Sequence, residues 1–462
     1  MSPEPPEVII RVGSHAEKEY VLKLKDYLDG LIVGANLFEA APGATASLLL
    51  AAGAKTAKLY IDPMTYAFGE YIDPDTGKVR NDLDWIKSDQ IPKGQPGKKR
   101  ASREKTTIRE FKRSYRALAE TIGWPLNEAV QKSAAVTPDL VRQAARIKIF
   151  SGSVVDYQLR RLQREFEEDE ELKDFIDDMP KPAAVFAPYF YVEPTNTDAW
   201  LDVNLRLMQA TAALGAAVPI HGVLCADVRH LADAGVRQRL LEAVPQTGVS
   251  GVWLWFSGFF EESASREVLT AYRGLVEGLA TRIEVRAMHG GFFGLTLSKF
   301  GMRGVSHGIG YGEQKDVVPV IGQSTPTVRY YLPPIARRLG VPEIERAFDA
   351  LGIKTPDDFH KKVCGCAVCK GVISTSLDQF ASFGDMHFSR PTAQRLAQTP
   401  AAAKRCRFHF LLSRLGERDW VRKLSVKELA TRLEQGAGTW GVQPTLKSST
   451  AHLMRWVSVL LS

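Results

Sequence analysis

The chain is poor in cysteine, has no long apolar run and shows no strong excess of one charge. Five cysteines in 462 residues do not make a disulfide framework. A reducing, cytoplasmic setting is therefore expected. The opening Met1-Ser-Pro-Glu-Pro-Pro has neither a basic nor an apolar leader region, so no signal peptide is expected. The longest apolar stretches, such as 41–54, contain Gly and Pro and are too short to span a bilayer. No membrane partner is expected. The net charge of +7 favours anionic partners only softly, so local clusters matter more than the sum.

What is present is concentrated. Three of the five cysteines form Cys364-Gly-Cys366-Ala-Val-Cys369. Thiolates are soft ligands, and three this close nearly fill a tetrahedral Zn²⁺ site. Gly365 helps so tight a turn to point all three sulfurs inward. Downstream, Cys406-Arg-Phe-His409 offers a fourth donor. His409 is favoured; Cys406, three residues earlier on the same helical face, and His387 compete with it. Four protein ligands leave no open position, so this zinc is expected to be structural.

Short apolar strands alternate with amphipathic helices through the first 310 residues. The expected strands are Val8–Val12, Gly30–Gly34, Lys58–Ile61, Ala183–Ala187, Pro219–Cys225, Gly251–Phe256, Arg282–Met288 and Gly304–Gly308. Parallel neighbours need crossover helices, and about eight such units predict an α/β fold, a closed (β/α)8 TIM barrel. Residues 1–328 are assigned to the barrel, with a basic insertion at about 85–180. Residues 329–462 are assigned to a metal-stapled helical subdomain, with helices expected at Ile335–Leu339, Pro342–Leu351 and Lys404–Leu415. The segment 93–116 holds ten lysines and arginines against two glutamates. Lys98, Lys99, Arg100 and Arg103 are its candidates for nucleic-acid phosphates; the bland alternative is a solvated loop leading into a basic helix.

In such barrels chemistry sits where strands end. Met288-His289-Gly290-Gly291 ends one strand, and the glycines suggest close approach of a ligand to the backbone. Tyr189, Tyr191 and Glu193 follow another strand and could hold a base. Trp253, Trp255, Phe256, Phe259 and Phe260 crowd a third, mostly as core. Asp227 reads as a binding residue or as a helix cap. Ser306-His307-Gly-Ile-Gly-Tyr-Gly-Glu313 is glycine-rich, and His307 could act there as acid or base.

A barrel followed by Cys-x-Cys-x-x-Cys and a helix-borne His resembles the tRNA-guanine transglycosylase superfamily, whose relatives insert 7-deazaguanine bases into tRNA or DNA. The resemblance covers roughly residues 30–415 and is most specific at Cys364, Cys366, Cys369 and His409. The interval before His409 is longer here than in the tRNA enzymes. The resemblance implies base exchange: a carboxylate attacks C1′, guanine leaves and a deazaguanine takes its place. Asp62, in Asp62-Pro-Met-Thr65, matches the acid of the family's Asp-Ser-Gly-Gly segment. The family's Phe-Asp pair after the last strand has no match; Glu313 and Asp316 come just after it. The base-recognising acid after the fourth strand is also missing near Pro188 and Tyr189. The expected chemistry therefore falls to Asp62, His307 and Glu313, with substrate contacts from Tyr189, Glu193 and His289. A nucleic acid, tRNA or DNA, is the expected partner, in a homodimer or larger complex. The alternative is a diverged barrel that binds a base or strand without exchanging it.

Overall fold

A computed structural model describes residues 5–53, 57–72, 77, 111–310, 313, 315–317, 327–388, 396–444 and 446–462. Lys98, Lys99, Arg100 and Arg103 lie outside the described residues.

Eight strands form one parallel sheet: β1 (Glu7–Val12), β2 (Gly30–Gly34), β3 (Lys58–Asp62), β4 (Val185–Phe186), β5 (Ile220–Asp227), β6 (Gly251–Ser257), β7 (Glu284–Ala287) and β8 (Met302–His307). Their order is β3-β2-β1-β8-β7-β6-β5-β4. The first and last strands of that order meet where Leu59 bridges Pro182 and the Ala183 N–H donates to the Leu59 carbonyl at 2.8 Å. The sheet thus closes into a (β/α)8 barrel. The strands read as near-continuous Val, Ile, Leu and aromatic runs because helices cover one face and the barrel core the other.

The outer layer follows in chain order: α1 (Lys18–Leu24), α2 (Pro42–Ala51), α3 (Ala144–Glu168), α4 (Thr197–Ala212), α5 (Ala234–Gln246), α6 (Arg266–Ala280) and the short α7 (Phe292–Thr296). The eighth, α8 (Pro400–Lys423), packs against β1 and α7. The cysteine-bearing segment therefore enters between β8 and the last outer helix. Two further helices, α9 (Val426–Gly441) and α10 (Lys447–Leu460), pair with each other, and α10 lies against α6. No helix among the described residues is long and apolar enough to cross a membrane.

One expected helix is a strand. Ala336 takes a left-handed φ of 49° after Pro333-Pro334, which stops a helix there. Arg337–Leu339 (β10) instead pairs antiparallel with Tyr330–Leu332 (β9). β4 is also shorter than expected. Pro188 lacks an amide donor, and the chain resumes pairing at Val192, whose N–H donates to Cys225 O at 2.8 Å.

Strand alternation and register decide what faces the barrel interior. Arg11 shares its face with Ile9, which pairs with Ser306. Arg286 and Trp253 are in register, as are Cys225 and Trp255. The lower interior is a closed plug. Arg286 bonds Glu7 at 2.9 Å and Glu284 at 2.7 Å, and its guanidinium lies over Trp253. The Trp253 indole donates to His221 Nδ1 at 3.1 Å. Burial, helped by Arg286, pushes His221 down to about 4, which keeps it a neutral acceptor.

Candidate functional site

Asp62 ends β3 and is fully buried at the upper end of the barrel. It forms an ion pair with Arg11, itself reaching up from β1. The Tyr189 hydroxyl donates to Asp62 Oδ1 at 2.8 Å, and the Met64 N–H donates to the same oxygen at 3.0 Å. Arg11 also approaches the sulfurs of Met64 and Met288 at 3.3 and 3.5 Å. Met64 has a φ of 56°, a left-handed conformation that costs a non-glycine residue free energy. The turn Asp62-Pro-Met64 is thus strained at the point where the carboxylate is aimed. Thr65 secures it by exchanging bonds of 2.7 and 2.9 Å with the backbone of Tyr189.

After β4 the chain runs extended, so Tyr189, Tyr191 and Glu193 fall on one side and Phe190 on the other. Phe190 packs outward on Trp200, and Asn204 of α4 holds its N–H and carbonyl at 2.8 and 2.7 Å. On the mouth side Tyr189 stacks with Tyr66, and Tyr191 with Tyr71. Trp255 sets its edge against Tyr66 and packs beside His289 at 4.7 Å. Cys225, beside this group, is inert: burial and the Asp62 charge hold its thiol well above the usual range.

Two more carboxylates complete the mouth. Asp227, at the end of β5, accepts from the Tyr191 hydroxyl at 3.0 Å and from Arg229 through both side chain and backbone. Burial alone would raise it, but Arg229 and Tyr191 hold it below the ordinary carboxylate value. It serves both as cap-like acceptor and as rim residue. Glu193 is only 4% exposed. The Ile72 N–H donates to its Oε2 at 3.0 Å, while Oε1 has no hydrogen-bond partner among the described residues. Burial, with the charges of Glu70 and Asp227, pushes Glu193 up to about 7.

The structure does not bring His307 and Glu313 to this mouth. His307 pairs in register with Ile10, the outward-facing neighbour of Ile9 and Arg11. Its ring packs on Phe410 of α8, and burial with Arg414 nearby pushes it down to about 4. Glu313 is held by Arg338 at 3.1 Å and Arg414 at 2.5 Å. Burial would raise it, but these two arginines keep it charged. Both residues belong to a seam between β8 and the subdomain. There the Tyr331 hydroxyl also bonds Glu417 at 2.7 Å, and Arg414 approaches Glu417 at 3.0 Å.

The glycines after His289 also have an internal cause. Glu261 accepts from the N–H groups of Gly291, Phe293 and Gly294 at 2.8, 2.9 and 3.1 Å. A Cβ on Gly291 would stand 2.6 Å from a Glu261 oxygen. The group that approaches this backbone is the protein's own carboxylate.

The second site is the cysteine turn. The ligand atoms of Cys364, Cys366, Cys369 and His409 all lie within 4.8 Å of one another. His409 Nδ1 stands 3.7, 3.5 and 3.4 Å from the three sulfurs. An ion about 2.3 Å from sulfur and about 2.0 Å from nitrogen sets tetrahedral S···N edges of roughly 3.5 Å. His409 Nε2 lies 2.6 Å from the Tyr331 carbonyl, which fixes its proton there and leaves Nδ1 for the metal. Tyr330 stacks on the His409 ring at 4.1 Å, and its hydroxyl lies 3.2 Å from Cys369 Sγ. The rival donors are elsewhere: the Cys406 thiol points at the Phe383 carbonyl, and His387 is on an exposed strand.

Arg11 and Tyr66 complete the mouth beyond Asp62, Tyr189, Glu193, His289 and Asp227, which the sequence marks as candidates. Arg11 carried a signal, a lone charge inside Val-Ile-Ile-Arg-Val. No protein-family model matches the chain, and no curated protein matches it either.

Proposed function

We propose that the protein is an enzyme of the transglycosylase type, acting at the bond between a guanine-like base and its sugar in tRNA or DNA. The observation that carries this is the mouth's set of carboxylates in opposed environments. Glu193, raised to about 7, is still protonated in a large fraction of molecules at neutral pH, whereas Asp227 is held below the ordinary carboxylate value. Carboxyl groups tuned apart in this way are what acid–base work on a glycosidic bond requires. Asp227, nearer the rim, attacks C1′. The C–N bond breaks and the leaving base takes the proton of Glu193. An incoming base returns a proton to Glu193 as it displaces Asp227. Asp62, deeper and paired with Arg11, anchors Tyr189 beneath the base. The aromatic rings of Tyr66 and Trp255 suit an extruded base. The cysteine turn holds zinc, because three thiolates and an imidazole at tetrahedral spacing suit it best. It supports the fold and takes no part in the reaction.

A second reading, recognition without exchange, draws on the full burial of Asp62 and the use of both its oxygens. Incubation with labelled guanine and either tRNA or duplex DNA separates the two. The enzyme reading expects incorporation, lost in Asp227→Asn and cut by about 10²–10⁴-fold in Glu193→Gln. Binding with no incorporation under any condition leaves recognition alone.

A further inference from the structure

Attack by Asp227 needs an open lone pair on its carboxylate, and in the free protein the lone pairs are in use. A carboxylate has about four acceptor positions, two on each oxygen. Asp227 Oδ1 accepts from the Arg229 N–H at 2.9 Å and from Arg229 Nε at 2.8 Å. Oδ2 accepts from Arg229 Nη2 at 3.1 Å and from the Tyr191 hydroxyl at 3.0 Å. Two of these donors are fixed. The N–H belongs to the turn that follows β5, and Tyr191 is 7% exposed and stacked on Tyr71. The Arg229 guanidinium is different. Its side chain is 65% exposed against 14% for Asp227, and Asp227 is its ion-pair partner among the described residues. The guanidinium is the part of this donor set that is free to leave.

What replaces the carboxylate decides whether it leaves. So exposed an arginine is held on its partner by a factor of only about five in population. A phosphodiester offers the same fork two oxygens, and arginine binds phosphate and carboxylate alike through two parallel bonds. Within a strand every C1′ has a phosphate on either side, close enough for one arginine side chain to reach. A free nucleoside has none. A strand seated at the mouth therefore competes for Arg229, and a nucleoside does not.

We infer that Arg229 is a strand-sensing cover on the nucleophile. In the free protein it occupies Asp227; on a bound strand it moves to a backbone phosphate beside the extruded nucleotide, and Asp227 is freed for C1′. This rests on the transglycosylase reading above and narrows its substrate to a nucleotide within a strand. The test compares the full chain with Arg229→Gln and Arg229→Lys in two measurements. The first is exchange of labelled guanine into guanosine, which carries no phosphate. Arg229→Gln should exchange it about fivefold faster than the wild type, because nothing covers Asp227. The second is the anisotropy of a labelled DNA duplex and of labelled tRNA across about 50–200 mM salt. The slope of log affinity against log salt should be shallower by about one in Arg229→Gln, the loss of one phosphate contact, and unchanged in Arg229→Lys. Slower guanosine exchange in Arg229→Gln would mean that Arg229 aims Asp227 instead of covering it. Equal slopes in the wild type and Arg229→Gln would mean that no phosphate meets Arg229. Either result overturns the inference, and leaves the exchange reading standing wherever the wild type incorporates guanine into nucleic acid. Slopes that differ while no substrate is exchanged do the reverse: the exchange reading falls and the phosphate contact of Arg229 stands.

Discussion

The cysteine turn and the barrel mouth are both buried polar sites, yet they are finished differently. At the turn the four ligand atoms close on one another. Three sulfurs and Nδ1 converge, Nε2 is held by Tyr331 O, and Tyr330 closes one side. At the mouth Asp62 is equally well satisfied, but Glu193 keeps an oxygen without a partner among the described residues and titrates near neutrality. The two sites differ in how fully their buried groups are met, although atoms unmet among the described residues also occur in the structural seam, at Glu417 Oε2 and Arg414 Nε. Burial alone does not distinguish them; the count of satisfied groups does.

The largest expected effect breaks the closed side. Structural ions of this ligand set contribute on the order of 10 kcal/mol of binding free energy. Chelation, or Cys369→Ser, should therefore unfold residues 329–399 first. Hydrogen exchange should show protection lost there and around Tyr331 before the strands of the barrel. Uniform loss across the barrel would mean that the turn and the mouth are one cooperative unit. Cys406→Ala and His387→Ala should leave the bound metal unchanged.

A smaller effect probes the satisfied half of the mouth. Arg11→Met strands the Asp62 carboxylate in the interior and should cost about 3–5 kcal/mol in denaturant unfolding. Replacing both, Arg11→Met with Asp62→Leu, should recover most of that loss. If it does not, the pair does more than neutralise itself. Gly291→Ala pushes a methyl into the Glu261 carboxylate and should cost about 1–3 kcal/mol. Loss of base binding without loss of stability would reinstate a ligand at that backbone.

The same contrast explains what was legible in the sequence. Strands buried on both faces are apolar runs, so all eight could be located to within a few residues. Metal ligands are compelled by chemistry, and Cys364, Cys366, Cys369 and His409 could be chosen from residue types and spacing alone. The mouth depends on which way alternate residues point, and a single step in register reverses that. Ser306 faces in and His307 faces out, a distinction fixed by pairing with Ile9 and Ile10 nearly 300 residues away. Glu313 has its partners at Arg338 and Arg414, 25 and 101 residues on, so nothing local marks it as an ion-pair residue. The His-Gly-Gly turn looks like a ligand site because the carboxylate it accommodates comes from Glu261, 30 residues earlier.

The smallest expected effect is also the most informative about the open side. Glu193 has its folded value raised from 4.5 to about 7, so the folded state binds its proton more tightly than the unfolded chain does. That contribution is fully present below pH 4.5 and is lost as the pH rises through 7. Glu193→Gln removes it. The variant should therefore hold its stability across this window while the wild type falls, with a difference of about 1–3 kcal/mol at pH 8. Glu261, Glu262 and Glu417 are raised to about 7 as well, but they are common to both proteins and cancel in the difference. If the two curves run parallel, Glu193 is an ordinary carboxylate, charged throughout, and cannot be the acid. If they diverge and a bound base removes the divergence, the unmet oxygen of Glu193 is where the base donates its hydrogen bond.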